Sequence, residues 1–77
     1  MSIKVRYFAS LKESLGRSED TQTYTSDITV RELWLLCASE LSLPGNLLAA
    51  INMEYAELDS KVNDGDEVAF FPPITGG

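Results

Sequence analysis

Seventy-seven residues leave room for one domain, and a chain this short buries only about 60% of the surface its unfolded form exposes, which argues against a deep enclosed active site. Twelve acidic and six basic residues give a net charge of −6 without a basic cluster, which speaks against nucleic acid and for a basic protein partner. There is no histidine and only one cysteine, Cys37, so an intramolecular disulfide, an ordinary zinc site and the commonest general base are all excluded.

An apolar fraction of 44% is ordinary for a folded domain. Met1 leads straight into Ser2-Ile3-Lys4-Val5 without the apolar core of a secretory signal, and no apolar run approaches the ~20 residues that span a bilayer. A cytoplasmic protein with no membrane partner is the expectation.

Ile3 to Ala9 begins as an alternation, with Ile3, Val5 and Tyr7 on one face and Lys4, Arg6 and Phe8 on the other, the period of a half-buried strand. Ser10-Leu11-Lys12-Glu13 has the form of a capping box, and Gly16 suits a left-handed stop, predicting a short helix over Leu11 to Leu15. Thr21 to Thr25, rich in Thr and Tyr, reads as a strand pairing back on the first. Thr29-Val30-Arg31-Glu32 is a second capping box, with Ile28 and Leu33 placed for a hydrophobic staple. Val30, Leu33, Trp34, Cys37 and Leu41 then share one helical stripe, so the main helix is expected over Val30 to Leu41, ahead of Pro44-Gly45. Cys37 and Trp34 belong to its core side on this reading.

Leu47 to Asn52 and Tyr55 to Leu58 read as short strands, Asn63-Asp64-Gly65-Asp66 as a turn rather than a cation site, and Glu67 to Phe71 as the last strand. Val68 and Phe70 face one way and Ala69 and Phe71 the other; Pro72-Pro73 ends the ladder. One long helix must cover one face of a small mixed sheet. The expected class is α+β, a β-grasp (ubiquitin-like) domain over residues 1–77, with a flexible tail from Pro73 to Gly77.

Ile3-Lys4-Val5-Arg6-Tyr7-Phe8-Ala9, Leu47 to Asn52, and above all Asp64 to Gly77 with its Phe70-Phe71-Pro72-Pro73-Ile74-Thr75-Gly76-Gly77 ending resemble the small, sulfur-carrying subunits of molybdopterin synthase. The resemblance implies an E1-like adenylyltransferase that spends ATP to adenylate the Gly77 carboxylate, after which sulfur displaces AMP to leave a thiocarboxylate. It implies a tail that enters the large synthase subunit, where two sulfur transfers to cyclic pyranopterin monophosphate build the molybdopterin dithiolene. It further implies a heterotetramer of two small and two large subunits. On the same resemblance the small subunit is expected to donate sulfur, to be inactive alone and to hold no permanent cofactor.

The residue types suit that chemistry. A carboxylate is a poor electrophile and needs activation. Two glycines, lacking Cβ, can thread a narrow channel, while Pro72-Pro73 stiffens the exit. Five residues from Pro73 to Gly77 reach about 17 Å when extended. Phe8 and Phe71 stand at the C-terminal ends of strands that are parallel neighbours in a β-grasp sheet, on its outer face, with Tyr55 also turned outward. These three, together with Pro72, Pro73, Ile74 and Thr75, form the expected partner interface, and Gly76 and Gly77 the reactive end. A carrier for thiamine or tRNA thiolation, a ubiquitin-like modifier of lysines, and a plain interaction module remain open alternatives.

Overall fold

In the computed structural model, which describes residues 1–42 and 45–73, the elements run β1 (Ser2–Tyr7), α1 (Ser10–Leu15), β2 (Glu19–Thr23), α2 (Val30–Cys37), β3 (Leu48–Ile51), β4 (Glu54–Ala56) and β5 (Glu67–Phe71). They form one five-stranded sheet of order β2-β1-β5-β3-β4, in which β1 and β5 are parallel and the other pairs antiparallel. With α2 packed on one face, this is the expected β-grasp architecture.

The alternation in β1 buries Ile3, Val5 and Tyr7 and leaves Lys4, Arg6 and Phe8 on the other side. In β5 it buries Val68 and Phe70 and leaves Ala69 and Phe71 partly exposed. From α2, Val30, Leu33 and Trp34 complete the core. Its centre is aromatic: Trp34 meets Phe70 edge-on at 5.1 Å, and Tyr7 lies 6.3 Å from Phe70. Trp34 Nε1 is buried without a hydrogen-bond partner, the only such side-chain nitrogen or oxygen among the described residues.

Thr29 caps α2 as its sequence indicates. The Thr29 hydroxyl accepts from the Glu32 amide at 3.2 Å, and the Glu32 carboxylate accepts from the Thr29 amide at 3.0 Å. Thr29→Ala should lower stability by about 1 kcal/mol, the usual value of such a cap, with the strands unaltered; a urea melt measures it.

Four expectations need correction. The capping box at Ser10 does not form: Ala9 is the cap, at φ 54° and without a side-chain bond, and Ser10 is already helical. Phe8 is tied to β5 through its amide, which donates to the Phe70 carbonyl at 3.1 Å. The chain must turn at Ala9 to reach α1, so the helix starts one residue early. Gly16 closes it as expected, left-handed at φ 75° with its amide on the Lys12 carbonyl.

The second strand lies two residues earlier than its composition indicates, over Glu19–Thr23, because the register with β1 pairs Arg6 with Glu19 and Ser2 with Thr23. Asp20, a poor strand former by propensity, is held there by the Tyr7 hydroxyl and Arg17 Nε, at 2.8 and 2.7 Å.

The main helix ends at Cys37 rather than Leu41. Arg17 donates to the Cys37 carbonyl at 2.5 Å and pairs with Glu40 at 2.7 Å, satisfying groups that another helical turn would use. Ala38 leaves helical geometry, and a turn closed by the Leu41 amide on the Ala38 carbonyl still brings Leu41 against the core. The short β4 likewise sits at Glu54–Ala56, one residue earlier than expected, and Leu58 packs on the core outside any strand. Asn63 to Asp66 forms the expected turn, with Gly65 at φ 87°. No helix among the described residues is long and apolar enough to cross a membrane.

Candidate functional site

The outer face of the sheet, opposite α2, carries the residues singled out for a partner. The β1–β5 register pairs Tyr7 with Phe70, which places Phe8 beside Phe71 at the ends of both strands. Phe8 is 45% exposed and Tyr55 78% exposed, while Phe71 is half-buried. The ring contact on this face joins Tyr55 to Phe71, with centroids 5.8 Å apart and planes tilted by 55°. β4 is the edge strand that brings Tyr55 there. Phe8 borders a shallow cleft of about 270 Å³ shared with Arg6, Lys12, Ser18 and Glu19. Arg6 and Glu67 form an ion pair across the same face at 3.2 Å.

Pro72 and Pro73 follow directly, both half-buried, so the chain leaves β5 beside the Tyr55–Phe71 pair. Ile74, Thr75, Gly76, Gly77 and the expected tail flexibility lie outside the described residues. The structure therefore brings Tyr55 against Phe71 and sets Phe8 at the neighbouring strand end, with Pro72 and Pro73 following Phe71.

Several titratable groups in the body of the domain are shifted by burial or by a charged neighbour. Burial pushes the Cys37 thiol up to about 11, with the nearby Asp20 charge adding to the effect, and its Sγ lies 3.6 Å from Gln22 Oε1. Burial and the bond to Asp20 raise the Tyr7 hydroxyl further still. Arg17 lowers the Glu40 carboxyl. Asp64, Asp66 and Glu67 lie in and just after a turn, and no group of three or more possible metal ligands gathers among the described residues.

A thiol at about 11 is almost wholly protonated at neutral pH, and the thiolate is the nucleophile. Cys37 should therefore alkylate slowly at pH 7 and faster as pH rises toward 11, followed by intact-mass analysis under native conditions.

Sequence reasoning passed over three exposed apolar residues. Leu35 and Leu36 border a second hollow, of about 420 Å³, between α2 and the Thr25–Ile28 connection. Both fall outside the stripe of Val30, Leu33, Trp34 and Cys37, and an apolar pair off that stripe was the available signal. Met53, 97% exposed, stands at the tip of the β3–β4 hairpin, where a bulky residue in place of glycine was the available signal.

Comparison with known proteins bears on what such a face serves. The ThiS family model matches residues 5–77. The molybdopterin synthase sulfur carrier subunit of Escherichia coli K12 is 39% identical, over 97% of this chain and 99% of its own length. Among solved structures, a putative molybdopterin converting factor subunit 1 from Pyrococcus furiosus superposes with a TM-score of 0.79 at 26% identity, covering 96% of this chain and 99% of that one. Haloferax volcanii small archaeal modifier protein 1 superposes with a TM-score of 0.77 at 27% identity, covering 95% and 98%. The family model takes in nearly the whole chain, and the E. coli match spans nearly the entire length of both chains: the protein belongs to the ThiS family, among the molybdopterin synthase sulfur carrier subunits.

Proposed function

We propose that this chain is the sulfur-donating subunit of a molybdopterin synthase and that Gly77 is its working residue. The observation that carries the reading is the 39% identity with the E. coli sulfur carrier subunit across almost the full length of both proteins. The outer face supports it, since rings and prolines cluster where the tail begins. A partner that admits the tail grips the body of the domain there.

The chemistry follows from the carboxylate. An E1-like enzyme transfers AMP from ATP to the Gly77 carboxylate and releases pyrophosphate. A sulfur nucleophile attacks the acyl carbon, AMP departs, and a thiocarboxylate remains. Its sulfur is a nucleophile on a covalent tether, which raises effective concentration at any site the tail can reach. One terminus carries one sulfur, and a dithiolene needs two, which suits two loaded small subunits working with two large ones. The large subunit supplies the pocket for cyclic pyranopterin monophosphate. This chain contributes no acid or base and no permanent cofactor.

Reconstitution tests this. The thiocarboxylate form and the large subunit should together make molybdopterin from the pterin precursor, and the thiocarboxylate form alone should make none. Turnover by the small subunit alone would refute its donor-only role, and failure of the complete mixture would refute the carrier assignment. The likeness to the Haloferax modifier favours a second reading, attachment of Gly77 to lysines. Mass spectrometry separates the two: replacement of one oxygen by sulfur on the free chain supports carriage, and Gly77 isopeptides on other proteins support modification.

A further inference from the structure

Ile51 pairs with Glu54, which leaves only Asn52 and Met53 to close the β3–β4 hairpin. A two-residue loop that matches the twist of its strands takes left-handed backbone at both positions, and Asn-Gly is the favoured pair. Here φ is 50° at Asn52 and 72° at Met53. Asn52 is secured where it stands: its side-chain amide donates to Asp66 Oδ1 at 2.9 Å, and its side-chain oxygen accepts from the Glu67 amide at 3.0 Å. Met53 has no comparable anchorage. Its Cβ is crowded by left-handed backbone, and the residue is 97% exposed. Glycine would close the loop with less strain, so the methionine side chain adds only an apolar, flexible reach into solvent.

Its place relative to the tail gives that reach a use. The tip of the hairpin lies at the start of β5, where the Asn52 amide donates to the Glu67 carbonyl, whereas the tail departs after Phe71 at the other end of that strand. Four residues of strand separate the two ends by about 13 Å. Tyr55 stands between them, two residues beyond Met53 and in ring contact with Phe71. An interface of standard size covers about 800 Å² of each partner, roughly 30 Å across, so one footprint takes in both ends.

We propose that Met53 is a second anchor for the protein that receives the tail, its thioether side chain seated in an apolar socket of that protein. The inference rests on the sulfur-carrier reading and extends it. A partner holding only the tail and the rings beside it leaves the domain free to pivot about that end. A contact at the hairpin tip, about 13 Å along β5 from the tail's root, fixes its orientation and hence the direction in which the tail enters. Methionine suits a socket of irregular shape, being unbranched and polarizable.

The test is titration calorimetry of the full chain against the large synthase subunit, with urea melts of the free chain. Met53→Gly and Met53→Asn, both compatible with positive φ, should weaken binding about tenfold. Met53→Gly should also raise the urea midpoint, so that lost affinity cannot be lost fold. Met53→Leu, which keeps the apolar bulk and the strained backbone, should bind like the unaltered chain. Unchanged affinity in Met53→Gly, with Phe71→Ala weakened, overturns the anchor and leaves the carrier reading standing. Unchanged affinity in both variants overturns the assignment of this whole face.

Discussion

Phe70→Ala is expected to destabilise the free domain by about 3 to 5 kcal/mol, while Phe71→Ala, one residue on, costs it only about 1 kcal/mol. Phe70 is fully buried between Tyr7 and Trp34, so truncation leaves a cavity that two neighbouring rings cannot fill without breaking their own contacts. Domains hold about 0.05–0.15 kcal/mol per residue, which sets the total for 77 residues near 4 to 12 kcal/mol. Losing 3 to 5 of that removes most or all of the margin at the low end of the range and about a quarter to two-fifths of it at the high end. Phe71 lies on the opposite face with Tyr55 as its ring partner, so its removal sacrifices mainly that pair.

Binding should rank the two variants the other way. A central aromatic anchor cut to alanine commonly costs at least about 2 kcal/mol, or roughly thirtyfold in affinity. Phe71→Ala should therefore lose about that much affinity for the large subunit while its urea melt falls by only about 1 kcal/mol. Urea denaturation and calorimetry on the same preparations decide it. Unfolding of Phe71→Ala together with a binding-only defect in Phe70→Ala would show the two faces of β5 to be exchanged.

That contrast was legible in the sequence because strand alternation is local: Val68 and Phe70 bury together, as do Ile3, Val5 and Tyr7, whatever else the chain does. The Thr29 cap was legible for the same reason, since both of its bonds close within three residues. What escaped depends on distant residues. Nothing near Cys37 indicates that α2 stops there; Arg17, twenty positions earlier, supplies the donor. Glu19 and Asp20 are poor strand formers by propensity, and their place in β2 follows from pairing with β1. Ser10 matches a capping pattern, yet the tie between Phe8 and Phe70 moves the cap to Ala9. At the candidate site, Phe8, Tyr55 and Phe71 were accessible as outward aromatics. Their pairing was not, because the approach of Tyr55 to Phe71 depends on β4 taking the sheet edge. Met53 stood out fully only once the register placed it with Asn52 at the hairpin tip, since the expected strands left Met53 and Glu54 as the connection.

Deleting Gly77, or replacing Gly76 with leucine, should abolish sulfur transfer and leave the fold intact. The core residues run from Ile3 to Phe70, so neither change removes a buried contact identified in the domain. Deletion moves the terminal carboxylate back by one residue, about 3.3 to 3.6 Å in an extended chain. A misplacement of only about 1 Å at a reacting centre can cost a hundredfold, so product formation should drop at least that far. Leucine at position 76 keeps the carboxylate at its full reach but adds a branched side chain to a tail whose two glycines otherwise present only backbone. An added residue after Gly77 tests the same point from the other side, since it turns the reactive carboxylate into an unreactive amide. Molybdopterin formation in the reconstituted synthase, read beside circular dichroism, measures all three. Native spectra with transfer reduced a hundredfold or more are expected throughout, and full activity in the chain lacking Gly77 would end the carrier reading.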